Sequence, residues 1–129
     1  MGLMTRIVEA GTPASPPRHR SPIDRVHLAR YTLGNLTLEI EILGLFAGQA
    51  PETLAQLATA RTEKAWRDAA HTLKGSARAV GANRVADCAE RAEALPSGAS
   101  DIARSAAVEA IRHALHDATQ HIAGLSGQA

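Results

Sequence analysis

Aromatic side chains are almost missing from this chain, which has one Trp, one Tyr and one Phe among 129 residues. Because 45% of the residues are apolar nonetheless, the core must be aliphatic and rich in alanine, and such small side chains permit close packing of helices. A single cysteine, Cys88, excludes an internal disulfide. Its place on an apolar helical face reads as a buried thiol and suits a reducing compartment. Neither sign of charge is in excess. A net charge of +1 and a pI of about 8.0 provide no bulk attraction to nucleic acid or to an acidic membrane, so neither is expected as a partner. No apolar run approaches the length needed to span a bilayer, and no β-run of useful length is present.

Residues 1–21, MGLMTRIVEAGTPASPPRHRS, carry Pro13, Pro16 and Pro17 and then Arg18, His19 and Arg20, without a sustained period. They read as a flexible tail whose basic cluster is a solvated linker. No apolar core with a small-residue cleavage site marks a signal peptide, and Arg6 stands where a myristoylation motif needs Ser or Thr. The expected location is the cytoplasm.

Helical periods begin near Pro22, which suits a first-turn position, and Ile23, Val26 or His27, and Arg30 or Tyr31 predict a short amphipathic helix ending near Gly34. Asn35 can cap a second helix. Its stripe of Leu36, Ile40, Leu43 and Ala47, widened by Leu38, Ile42, Leu45 and Phe46, predicts a helix largely surrounded by others. Pro51 should kink or briefly break it before the period resumes to about Ala60. The strongest pattern is Thr62 to Gly81, TEKAWRDAAHTLKGSARAVG. There Trp66, Ala69, Ala70, Leu73, Ala77 and Val80 form one apolar stripe, while Lys64, Arg67, His71, Lys74 and Arg78 line the opposite face. Gly75 sits beside the histidine, where a glycine costs roughly 0.5–1 kcal/mol relative to alanine, so it is out of place unless something must come close to the backbone there. Gly81 closes this helix. Asn83 can begin another, carrying Val85, Cys88 or Ala89, Ala92 and Leu95, which Pro96 and Gly98 stop. A last helix, capped by Ser100, runs through Ile102, Val108, Ile111, Leu115 and Ile122 before residues 125–129 form a flexible end. Short connections between these helices predict an all-α fold, an up-and-down antiparallel four-helix bundle over residues 22–124 with a small additional N-terminal helix.

The string AAHTLKGSARAVGA, Ala69 to Ala82, resembles the signature of histidine-containing phosphotransfer (HPt) domains. PIDRVHL, LEIEILGLF, APETLAQL and VADCAERAEAL are similar to the helices that flank that signature. The resemblance implies a phosphorelay role: a phosphoryl group is accepted on His71 from the aspartate of a receiver domain and passed to another receiver. It also implies reaction at Nε2, space for the receiver at Gly75, and receiver-borne Mg²⁺, so that no cofactor or metal is needed here. The chain is too short to include a kinase's nucleotide-binding domain. It is expected to be a carrier and not a turnover enzyme, and a monomer. Its expected partners are response-regulator receivers, including that of a hybrid histidine kinase.

The residues themselves suit that chemistry. A nitrogen must be unprotonated to take a phosphoryl group, and the cations Arg67, Lys74 and Arg78 disfavour imidazolium. Lys74, one turn from His71, can pair with phosphoryl oxygens. Ser76 either supports the site or only bonds back to the preceding turn. Glu93 stands where many HPt relatives place a glutamine that holds the other imidazole nitrogen. Its charge would favour imidazolium, and an ordinary surface pairing with Arg91 or Arg67 is the competing reading. His113, His116, His121 and Asp117 lack the cysteine or carboxylate cluster that would complete a metal site. Two other functions remain open, a receiver-binding module without chemistry and a kinase dimerisation-type bundle. Against the second, His71 is followed by Thr-Leu-Lys-Gly and not by an acidic residue, a basic residue and Thr-Pro.

Overall fold

The computed structural model describes residues 21–128, all of whose regular structure is helical. Five helices follow one another: α1 (Arg25–Thr32), α2 (Leu36–Ala58), α3 (Glu63–Val80), α4 (Asn83–Glu93) and α5 (Asp101–Gln128). The tail expected over residues 1–21 lies outside the described residues except for Ser21. Helix α2 packs on α3, α3 on α4 and α4 on α5, and α5 closes back on α2. This ring of sequential neighbours is a four-helix bundle, with α1 laid against α2 and α3.

Side-chain caps set most helix starts, because the first backbone N–H groups of a helix have no partner within it. Asp24 accepts from the His27 N–H, Asn35 from Leu38, Thr62 from Ala65 and Ser100 from Ala103, each over 3.0 Å. Helix α4 starts at Asn83 as the sequence suggests, but the residue ahead of it is Ala82 and no side chain caps it. Gly81 ends α3 in the left-handed region, φ 80°, and its carbonyl accepts from the Asp24 N–H over 2.8 Å, which ties the start of α1 to the end of α3.

The six residues of the α3 stripe are all buried, with Leu73, Ala70 and Ala77 fully inaccessible. Around them Ala82, Ala86, Ala89, Ala92, Ala114 and Ala118 are buried too, and their small size brings the backbones together. The larger aliphatic side chains, Leu43, Leu57, Leu73, Val85 and Ile111, fill the centre and contribute roughly 1.5–3 kcal/mol each.

Expectations for three helices need correction. Helix α2 passes through Pro51 without a break, and it is not surrounded: Leu36, Leu38 and Leu45 are exposed, while Glu39 is buried, as are Leu43, Phe46, Ala50, Leu54 and Leu57 farther along the helix. The Glu39 carboxylate is satisfied there by Thr32 Oγ1 at 2.9 Å and Arg25 Nη2 at 3.3 Å. In α1 the inward residues are Leu28 and Thr32, and Val26 and Tyr31 face out. Helix α5 continues to Gln128 instead of ending near Gly124, and Ile102 in its first turn is exposed.

Candidate functional site

His71 lies midway along α3 on the side away from the buried stripe, and 69% of its side chain is exposed. Its Nδ1 is 3.1 Å from Glu93 Oε2 at the end of α4. A carboxylate oxygen can only accept, so this bond places a ring proton on Nδ1, and in the neutral imidazole it leaves the lone pair on Nε2. The other oxygen of Glu93, Oε1, is 2.7 Å from Lys74 Nζ. One carboxylate therefore bridges an imidazole and an ammonium one turn apart on α3.

Glu93 and Lys74 are both largely covered, their side chains 25% and 18% exposed. The Lys74 ammonium holds the Glu93 carboxyl below its ordinary value; burial opposes this, and the His71 hydrogen bond adds to the lowering. Glu93 is thus ionised, and its partners are His71 and Lys74, not the Arg91 or Arg67 of the surface reading. Arg91 instead reaches the partly buried Cys88 thiol at 3.3 Å.

The cations that the spacing gathered around His71 all have carboxylate partners. Arg67 pairs with Glu63 at 3.4 Å, Arg78 with Glu90 at 2.8 Å and Lys64 with Asp68 at 2.6 Å. The face is balanced in charge, where the sequence pattern suggested a basic one. Ser76 bonds back to the Leu73 carbonyl over 3.2 Å and does not reach the histidine. At Gly75 an added Cβ would meet nothing within 4 Å among the described residues, so none of the neighbouring helices described requires the glycine. On the last helix Asp117 is bound to Arg84 at 3.2 Å, which takes it away from the histidines around it.

Two framework contacts, made by Trp66 and Arg104, were not legible in the sequence. Trp66 is buried within the core stripe, yet its Nε1–H crosses to the Ala92 carbonyl over 2.8 Å and sets α4 against α3 one residue before Glu93. Arg104 of α5 stacks 4.9 Å over the Trp66 ring and is paired with Glu63, the same carboxylate that holds Arg67. The i,i+4 spacing of Glu63 and Arg67 was a visible signal, whereas nothing local announces Arg104.

No helix among the described residues is long and apolar enough to cross a membrane. No curated protein and no solved structure matches the chain. The family model described as Hpt domain does match, over residues 41–123, more than half of the chain and a span that contains His71, Lys74, Gly75 and Glu93. The chain therefore belongs to the Hpt domain family, the phosphotransfer modules of two-component signalling that interact with the receiver domains of response regulators.

Proposed function

We propose that the protein is a phosphoryl carrier in which Nε2 of His71 accepts a phosphoryl group from a receiver-domain aspartate and passes it to a second receiver. The observation that carries this reading is the orientation of the ring. Nδ1 is held by Glu93, so a nucleophilic lone pair stands on the open side of α3 beside the unfilled space at Gly75.

Lys74 lies close enough to shift from Glu93 toward phosphoryl oxygens as charge develops on them, and such charge-assisted bonds are worth about 1.5–3 kcal/mol. Arg67 and Arg78, each bound to a glutamate, are available to the partner's acidic groups, while Ser76 only shapes the turn that carries Lys74. The receiver supplies the aspartate and the Mg²⁺, and this chain contributes neither metal nor cofactor. Its donors and acceptors are receivers, one of them that of a hybrid histidine kinase, met in the cytoplasm by a monomer.

Incubation with receivers carrying labelled phosphoryl groups tests the reading. Label that moves to the protein, is lost in acid, survives base and is absent from His71→Gln is the expected result. Label on His113 or His116, or none at all, overturns it.

A further inference from the structure

Glu93 meets the imidazole at the nitrogen that does not react, which makes its charge matter as well as its hydrogen bond. The consequence rests on the phosphotransfer reading of His71. Before reaction the neutral ring carries its proton on Nδ1 and a lone pair on Nε2. When Nε2 attacks the acyl phosphate, an N–P bond forms, the P–O bond to the receiver's carboxylate breaks, and the electron pair leaves with that carboxylate. Nδ1 still holds its proton, so the phosphorylated ring is a cation.

Two forms then compete. With the proton kept, the ring leaves phosphorus as neutral imidazole and the N–P bond breaks readily. With the proton lost, the leaving group would be an imidazole anion and the bond persists. An ionised carboxylate in hydrogen-bond contact favours the first form. Other charges on this face are matched elsewhere: Arg67 by Glu63, Arg78 by Glu90 and Lys64 by Asp68. Lys74 shares Glu93 through the far oxygen and keeps it ionised without displacing the ring. The carboxylate also repels the phosphoryl group, which acts in the same direction.

We propose that Glu93 is a positioning residue that sets the lifetime of the phosphoryl group: its carboxylate keeps the phosphorylated ring protonated near neutral pH, so that phosphohistidine is short-lived and readily surrendered to an acceptor. A glutamine at the same place accepts the same N–H without the charge and gives a longer-lived store.

The test loads the full chain and Glu93→Gln with phosphoramidate, a small phosphoryl donor, removes the donor, and follows phosphohistidine by ³¹P NMR between about pH 5 and pH 9. Both proteins should take phosphorus on His71. The glutamine variant should hold it about tenfold longer at neutral pH, with the acceleration of decay displaced about one unit toward acid, the low end of what an adjacent opposite charge does. Glu93→Asp, which keeps the charge, should decay like the native chain. Glu93→Met replaces the glutamine variant if the latter does not fold, with the same long lifetime expected. Superposable decay profiles in the native and glutamine proteins, or a glutamine-like profile in Glu93→Asp, overturn the proposal while leaving phosphotransfer intact. Failure of every protein to take label overturns both.

Discussion

The indole N–H of Trp66 donates to the carbonyl of Ala92 over 2.8 Å, joining α3 to α4 at the residue before Glu93. Five residues after Trp66, on the opposite side of the same helix, stands His71. The bundle thus fixes both ends of the His71–Glu93 contact from within its core: the tryptophan holds the backbone of α4, and the helix that holds the tryptophan also presents the imidazole. Trp66→Phe keeps an aromatic ring but loses the hydrogen bond and part of the buried volume. A loss of about 2–3 kcal/mol is expected, about 1 from the bond and the rest from the void. Urea unfolding checks this, and an unchanged midpoint would mean that the bond contributes nothing.

Lys74→Ala has a larger effect than a surface lysine would. Spacing alone placed Lys74 on the exposed face and predicts a change of no more than about 0.5 kcal/mol. In the structure the side chain is 18% exposed and bound to a carboxylate that is itself mostly covered. Removing it is expected to cost about 1–2 kcal/mol, below the range for fully buried pairs because water still reaches the site. Transfer to His71 should slow by roughly tenfold or more as one charge-assisted bond is lost. Stopped-flow transfer from a phosphorylated receiver, together with denaturant midpoints, separates the two effects.

The same pair predicts an acid dependence. The carboxyl of Glu93 is held below its unfolded value chiefly by Lys74. A depressed carboxyl stabilises the fold above the unfolded value of 4.5, and that stabilisation is lost as pH falls through the folded value. Native protein should therefore lose stability between neutral pH and the acid side of 4.5 more steeply than Lys74→Ala, in which the chief cause of the depression is gone and only the weaker His71 contribution is left. Parallel stability curves in the two proteins would remove Lys74 as that cause.

What the sequence made legible follows from how sharply each helix separates its faces. In α3 every apolar residue except the exposed Ala65 and Ala79 falls on one side and nearly every charge on the other, so the buried set and the His71 face could both be read from spacing. Helix α2 is apolar almost all round, and period alone could not tell that Leu36, Leu38 and Leu45 face out while Glu39 faces in. The decisive fact there is a hydrogen bond from another helix, Thr32 Oγ1 to Glu39. The site divides in the same way. His71, Lys74 and Gly75 share one helix, whereas the Glu93 pairing depends on how α4 crosses α3, which Trp66 and the alanines decide.

Glu39→Ala tests the buried carboxylate. Loss of the charge-assisted bonds from Thr32 and Arg25 should cost about 1–3 kcal/mol. The loss should be local, since α1 is held by little besides Ile23, Leu28, this cluster and the Asp24–Gly81 bond. Amide exchange should quicken in Arg25–Thr32 and stay slow in α3. Equal acceleration throughout the bundle would show that Glu39 supports the whole core.

Gly75 and Gly81 lie six residues apart and should respond to alanine in opposite ways. At Gly81 the backbone is left-handed, φ 80°, and an added Cβ would stand 2.7 Å from the Asp24 carbonyl oxygen. Alanine there must both adopt strained dihedrals and push α1 off the end of α3, so a loss of about 1–3 kcal/mol is expected. Gly75 is ordinary helix with open space where the Cβ would go. Alanine there should leave stability unchanged or raise it by up to about 1 kcal/mol, because it restricts the unfolded chain and suits a helix. Glutamine should fold as well. Each added atom nevertheless occupies the space beside Nε2 of His71 that a receiver must enter, so transfer and receiver affinity should fall from glycine to alanine to glutamine while stability holds. Thermal unfolding and transfer rates across the three proteins decide the matter. Native transfer rates in Gly75→Gln would end the access argument, and an unfolded Gly75→Ala would place the glycine in the packing of the bundle instead.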